Sequence, residues 1–296
     1  MGAFLGISDP SPTIDEAAAL ILPVPYEGTV TYGKGAGGGP RAIIDASRQV
    51  ELYDEYLDAE PWRSGIVTLP AVQPRTNPEA MVQAVDEAVG RYVKPGRLVV
   101  TLGGEHSIAC GAMAAHLRTY PEMGVIQFDA HADLRDTYEG TPWNHACVMA
   151  RIRDLVPSPR VVQFGIRSLS AGEAALAGRK SYRIAHARDI VRGRFEADDY
   201  LRCLPREVYI TLDVDVFDPS VIRATGTPEP GGLDWYTLLG IIEQIFATKR
   251  VVGFDMTELG TGDEASAFTA ARLVYRMIGL WNRGKTGEKK ARRLTP

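Results

Sequence analysis

Acidic and imidazole side chains gather where four apolar runs of the chain end. The run 97–102 leads into Gly103-Gly104-Glu105-His106-Ser107, and 124–128 into Asp129-Ala130-His131-Ala132-Asp133. The run 207–212 leads into Asp213-Val214-Asp215, and 251–254 into Asp255-Met256-Thr257-Glu258. No packing argument requires such residues there. Gathered at one edge, these groups would repel one another unless positive charge sat among them. A divalent cation supplies that charge and holds carboxylates ionised. Several carboxylates with one or two imidazoles suit Mn(II) or Fe(II), whereas structural zinc usually recruits thiolates. Six potential ligands exceed the need of one ion. Two ions about 3.5–4 Å apart, sharing carboxylates, would use them all and activate a bridging water. Taken singly the motifs have plainer readings: Asp-x-Asp commonly closes a turn or holds one Mg(II), and a lone His106 can cap a helix. Asp-x-His-x-Asp at a strand end is harder to explain away, and all three segments together point to metal.

These side chains need a scaffold that delivers strand ends to one place. Eight short runs read as strands: 18–23, 65–69, 97–102, 124–129, 160–165, 182–184, 207–212 and 251–255. Several are continuously apolar, as in strands covered on both faces. Helical candidates at 78–92, 107–120, 144–155, 234–248 and 265–281 lie between many of them. The alternation predicts an α/β fold with a central, mostly parallel sheet flanked by helices in three layers. In such sheets ligands bind at the carboxyl ends of the strands. No repeat or low-complexity linker divides residues 1–296, so one domain is expected. The glycine-rich stretch 32–40 precedes a helix-compatible segment with Pro40 near its start. It lacks the order of a phosphate loop and follows no strand directly, so it reads as a structured entrance loop or a ligand-binding loop.

Composition narrows the partners. The 296 residues are 45% apolar and 24% charged, with a formal net charge of −4. That balance gives no reason to expect nucleic acid or an anionic membrane. No run approaches the eighteen apolar residues that span a bilayer, and residues 1–11 do not resemble a signal peptide. Cys110, Cys147 and Cys203 show no CxxC spacing and read as buried small hydrophobes in a reducing compartment, the cytoplasm. The tail 283–296 is locally basic and is expected to fray into solvent.

The motifs, in this order, resemble the ureohydrolase family of arginases and agmatinases, and agmatinase most. The resemblance rests on GGEHS (103–107), FDAHAD (128–133), TLDVDVFDP (211–219), TGTPEPGGL (225–233) and VGFDMTE (252–258), with 32–44 and 49–51 also fitting. It implies an arginase-like fold with an eight-stranded sheet, two Mn(2+) per chain, and a homo-oligomer, trimer or hexamer. By the same resemblance, His106, Asp129, Asp133 and Asp213 hold one manganese and Asp129, His131, Asp213 and Asp215 the other. His145 matches the family's proton-shuttling histidine, and Glu258 the glutamate that grips the substrate guanidinium. The sequence departs from many relatives at Arg223-Ala224 and at Leu259-Gly260-Thr261, segments able to shape the substrate cleft.

The chemistry so implied is hydrolysis of a guanidinium to urea and an amine. Water activated by two metals attacks the carbon, Glu258 holds the nitrogens, and His145 assists departure of the amine. Asp215 is a further candidate acid, although metal ligation lowers its proton affinity. Agmatine is the leading substrate, because Leu134 stands where arginases carry an Asn that binds the amino-acid carboxylate. Arg135 is the best argument for a guanidino acid such as 4-guanidinobutyrate, and Asp136 and Glu139 for a terminal ammonium. A related metal-dependent amide hydrolase and a catalytically silent assembly subunit are the alternatives; the ligand count, Glu258 and His145 speak against both.

Overall fold

The structure, a computed structural model, describes residues 2–7 and 12–294, with side chains as far as residue 284. Its strands are β1 (Ala19–Val24), β2 (Ile66–Thr68), β3 (Leu98–Gly103), β4 (Gly124–Phe128), β5 (Val161–Ile166), β6 (Arg183–His186), β7 (Glu207–Asp213) and β8 (Arg250–Thr257). They form an eight-stranded sheet in the order β2-β1-β3-β8-β7-β4-β5-β6, parallel at every pairing.

Alternating side chains of each strand feed two cores. Ala19 and Ile21 of β1, Ile126 and Phe128 of β4, and Val208, Ile210 and Leu212 of β7 face one layer. That layer holds the helices Gly39–Ser47, Trp235–Thr248 and Glu264–Leu294. Leu20, Leu22, Val125 and Tyr209 face the other, with the helices Pro78–Gly90, Ala109–Thr119 and Val148–Leu155. Burial on both faces explains why the strands read as unbroken apolar runs.

The topology places the chemistry. The chain builds β1, β2 and β3, crosses to build β4, β5 and β6, and returns to insert β7 and β8 between β3 and β4. The four central strands, β3-β8-β7-β4, are the four whose carboxyl ends carry the acidic and imidazole motifs. Their ends lie level, Leu212 pairing with both Phe128 and Met256, and Leu102 also with Met256. A chain-order reversal of this kind opens a crevice at the strand ends.

The elements depart from expectation at their ends and in the helices Ala171–Lys180, Ala187–Val191 and Ala197–Leu201, which lie outside the five expected segments. The predicted helix 107–120 begins with a 3-10 turn, His106–Ile108, before Ala109–Thr119, and 144–155 divides likewise at His145–Cys147. The last strand of the sheet is Arg183–His186 rather than 182–184, and the last helix continues to Leu294 instead of stopping near Trp281. The side chains of the basic tail beyond Gly284 lie outside the described residues. Cys110 and Cys147 are buried, but Cys203 is only partly so, which corrects its reading as a core residue. Among the described residues no helix is long and apolar enough to cross a membrane.

Candidate metal centre and substrate cavity

Two overlapping sets of ligand atoms form at the central strand ends. One is His106, Asp129 and Asp213, the other Asp129, His131 and Asp215, the atoms of each lying within 4.8 Å of one another. His106 Nδ1 stands 3.1 Å from Asp129 Oδ2, 3.1 Å from Asp133 Oδ2 and 3.6 Å from Asp213 Oδ2. His131 Nδ1 stands 2.8 Å from Asp215 Oδ2 and 3.6 Å from Asp129 Oδ1. Asp129 therefore turns one oxygen to each imidazole, the arrangement of a carboxylate between two cations. Asp213 gives Oδ2 to the His106 set, while its Oδ1 accepts the Asp215 backbone N–H at 2.9 Å.

The electrostatics fit divalent ions. Four buried carboxylates face two imidazoles, and their burial penalises charge. Burial and then the charge of Asp129 push Asp133 up to about 7. Burial and the neighbouring Asp215 and Asp129 raise Asp213 well above the carboxylate range. Asp215 is raised by burial and by Asp129, despite its contact with His131. Burial opposes charge on His131, yet hydrogen bonds to Asp129 and Asp215 lift it to about 12. Such a cluster takes up protons unless cations neutralise it. Oxygen and imidazole donors without thiolate suit Mn(II) or Fe(II) better than structural zinc.

Behind His106 a relay sets its tautomer. Nε2 lies 2.8 Å from Thr211 Oγ1, which donates to Asp255 Oδ1 at 2.7 Å, while Tyr209 donates to Asp255 Oδ2 at 2.8 Å. With the Thr211 proton committed to Asp255, His106 must donate from Nε2, leaving the Nδ1 lone pair for a metal. Thr211→Val should therefore weaken metal affinity at this position by roughly 10-fold or more. Titration of metal-stripped protein with Mn(II), followed by electron paramagnetic resonance of free ion, measures it; unchanged affinity would leave Thr211 without this role.

A cavity of about 310 Å³ opens over these atoms and is lined by His106, His131, Asp133, His145, Asp213, Asp215 and Glu258, with Tyr32, Arg135, Tyr138 and Glu173 among the walls. Glu258 is buried, accepts the His106 N–H on Oε1 at 2.6 Å, and is pushed up to about 8 by burial and by Glu105. Asp133 and Glu258 both adopt left-handed backbone, at φ 52° and 64°. Such strain persists where surrounding structure over-determines it, often at functional sites. His145 sits half-buried against Thr29, its ring edge-on to Tyr138 at 6.3 Å. The glycine-rich loop is held at the mouth by Gly33 N–H to Gly226 O at 3.2 Å, and a Cβ at Gly33 would meet that oxygen at 2.6 Å.

The model of the arginase family matches residues 17–279. The chain belongs to the arginase family. It is 38% identical over 286 residues to an N(1)-aminopropylagmatine ureohydrolase of Synechocystis, covering 93% of this chain and 92% of that one. It is 36% identical over 285 residues to an agmatinase of Pyrococcus horikoshii, covering 91% and 94%. The solved agmatine ureohydrolase of Thermoplasma volcanium superposes with a TM-score of 0.86 at 29% identity, covering 95% of each chain. The protein is thus an arginase-family ureohydrolase with a binuclear metal-binding site, and its sheet is that of the arginase-like fold.

The cavity walls hold residues that sequence reasoning missed or misplaced. Asp136 is salt-bridged to Arg151 at 2.6 Å, and neither it nor Glu139 lines the cavity. Leu134 is buried in a core, and its backbone N–H donates to Glu173 Oε1 at 3.0 Å. Glu173 lines the cavity instead, its carboxylate fixed by Ser170 N–H at 2.7 Å in a helix capping box. The Ser170-x-x-Glu173 spacing was a legible signal for that cap. Arg135 does reach the cavity, stacked 4.6 Å over Tyr138 with Nε 4.0 Å from Glu173. The two departures from the family pattern turn out to be neighbours. Gly260 N–H donates to Ala224 O at 2.8 Å, and Thr225 pairs with Leu259.

Proposed function

We propose that this ureohydrolase is a manganese-dependent agmatinase, hydrolysing the guanidinium of agmatine to urea and putrescine. His106, Asp129, Asp133 and Asp213 would hold one Mn(II), and Asp129, His131, Asp213 and Asp215 the other. When bound, paired Mn(II) ions supply a nucleophilic water at neutral pH and Lewis acidity toward the substrate. The observation that carries the reading is a buried Glu258 carboxylate in the same cavity as both ligand sets. An anionic oxygen pair complements a planar cation rich in N–H donors and fixes its orientation. His145 would first take up a proton on one ring nitrogen and then pass it to the departing amine. His131 Nδ1 and Asp215 Oδ2 lie 2.8 Å apart, as two donors that would face the same ion. The family resemblance supports a homo-oligomer, trimer or hexamer, with residues 1–296 as one ureohydrolase domain, and the three free cysteines support a reducing compartment, the cytoplasm.

Arg135, Tyr138 and Glu173 in the cavity wall support an amine over an acid. The Arg135 guanidinium, the cation best placed to attract a carboxylate, already stacks on Tyr138 and faces Glu173. Leu134 is buried away from the cavity. A substrate carboxylate buried without a partner costs several kcal/mol or more, beyond the roughly 2–7 of an uncharged polar group. The kcat/KM for agmatine should therefore exceed that for arginine by at least roughly 100-fold, equivalent to about 2.7 kcal/mol. Relatives named for N(1)-aminopropylagmatine support a second reading, in which the amine end carries a further aminopropyl group. Urea release with Mn(II) saturating, compared across agmatine, N(1)-aminopropylagmatine, arginine, 4-guanidinobutyrate and 3-guanidinopropionate, decides between them. A guanidino acid as best substrate, with that preference lost in Arg135→Ala, would replace the agmatinase assignment.

A further inference from the structure

A single hydroxyl behind His145 carries more contacts than any packing role needs. Thr29 is buried, does not line the cavity, and holds its Oγ1 2.6 Å from Glu105 Oε1. The same oxygen receives the His145 backbone N–H at 3.2 Å and faces His145 Nδ1 at 3.3 Å. Glu105 is fully buried and ringed by donors. Gly28 N–H and Thr29 N–H reach its Oε2 at 2.7 and 2.6 Å, and Ser107 Oγ reaches Oε1 at 2.6 Å.

The count of protons decides the rest. A threonine hydroxyl has one proton to give and two lone pairs to receive. The short contact to the Glu105 carboxylate takes the proton. One lone pair accepts the His145 backbone N–H, which can only donate. Nδ1 meets the remaining lone pair, so it must bring a proton of its own. We infer that Thr29, oriented by Glu105, is a positioning residue that locks His145 as its Nδ1–H tautomer and leaves Nε2 as the proton-accepting atom at the cavity. This inference rests on the reading of His145 as the proton carrier and adds to it which nitrogen works and what selects it. Burial also lowers the His145 pKa, to about 4, so the ring is neutral at pH 7 and its tautomer is what matters. Without the lock, neutral imidazole could present a protonated Nε2 and lose its acceptor. Tyr138 stands edge-on to the ring at 6.3 Å.

Thr29→Val tests this, because it replaces only the hydroxyl and keeps the backbone N–H on Glu105. With Mn(II) bound at an unchanged two ions per chain, kcat for agmatine should fall by about 10-fold to 100-fold, part of what a positioned acid–base group contributes. KM should change little, and Thr29→Ser should restore most of the rate. In a His145→Ala background the same Thr29→Val change should cost less than about 2-fold, since residues acting as one unit are not additive. Nitrogen-15 spectra of protein loaded with diamagnetic Zn(II), with His145→Ala assigning the signal, should show His145 protonated on Nδ1. In Thr29→Val that signature should be lost. Native turnover in Thr29→Val, or an equal loss with and without His145, would overturn the inference. An Nε2–H signature in the native protein would also overturn it. Should His145→Ala turn over normally while the Nδ1–H signature stands, the proton-carrier reading fails and the hydrogen-bond lock survives as geometry alone.

Discussion

Replacing Asp129 with alanine is expected to remove both metal ions together and to slow urea release by at least about 10⁴-fold, about 5.5 kcal/mol of barrier. The expectation comes from its two oxygens. Oδ2 stands 3.1 Å from His106 Nδ1 and Oδ1 3.6 Å from His131 Nδ1, so one side chain belongs to both ligand sets. His131→Ala should behave differently, because its imidazole belongs to one set only. It should cost one ion and leave the His106 position occupied. Elemental analysis of Mn-loaded protein beside urea release measures both variants, with circular dichroism to establish that each has folded. Retention of one tightly held ion in Asp129→Ala would show that the carboxylate does not bridge.

The two candidate ligand sets were legible because a parallel sheet converts sequence position into spatial position. A polar group at or just past the end of an apolar strand lies at the carboxyl edge, as His106 does after β3, Asp129 after β4, Asp213 at the end of β7 and Glu258 after β8, whereas Asp255 falls inside β8 and pairs with Thr211. What the sequence could not supply was lateral order. Nothing in the runs themselves says that β7 and β8 insert between β3 and β4, yet that insertion brings Asp213 and Asp215 beside Asp129 and His131. Short elements were harder still. The 3-10 turns at His106 and His145 carry no periodicity over three residues. The helix Ala171–Lys180 has few buried apolar positions to mark a stripe, although its capping box was readable. Loop side chains were least legible. Asp136 and Arg135 are adjacent, but one pairs with Arg151 outside the cavity while the other folds over Tyr138 into it. Thr29 lies 76 residues from Glu105 and 116 from His145, a separation over which no local pattern carries information.

Glu258→Gln is expected to lower kcat/KM for agmatine by about 1000-fold, about 4 kcal/mol, while leaving two metal ions in place. The variant is close to isosteric, and its amide oxygen can still accept the His106 N–H that Glu258 Oε1 now receives at 2.6 Å. What changes is charge in a buried place. Burial already holds the Glu258 carboxyl up at about 8, so its ionisation in the free protein is opposed by its surroundings. A guanidinium arriving beside it offsets that opposition with its own charge and N–H donors, and each partner lowers the cost of burying the other. Glutamine leaves the guanidinium desolvated without a counter-charge, a loss of about 3–5 kcal/mol for a broken buried pair. Its NH₂ group also presents donors to a substrate face made of donors. The left-handed backbone at Glu258 keeps the side chain aimed in either case, so the comparison isolates charge from position. Steady-state kinetics with agmatine, together with the metal content of the same preparations, provides the measurement. If Glu258→Gln keeps within about 10-fold of native kcat/KM, Glu258 does not carry the guanidinium, and recognition of the cation must be sought among the other cavity carboxylates, with Glu173 first.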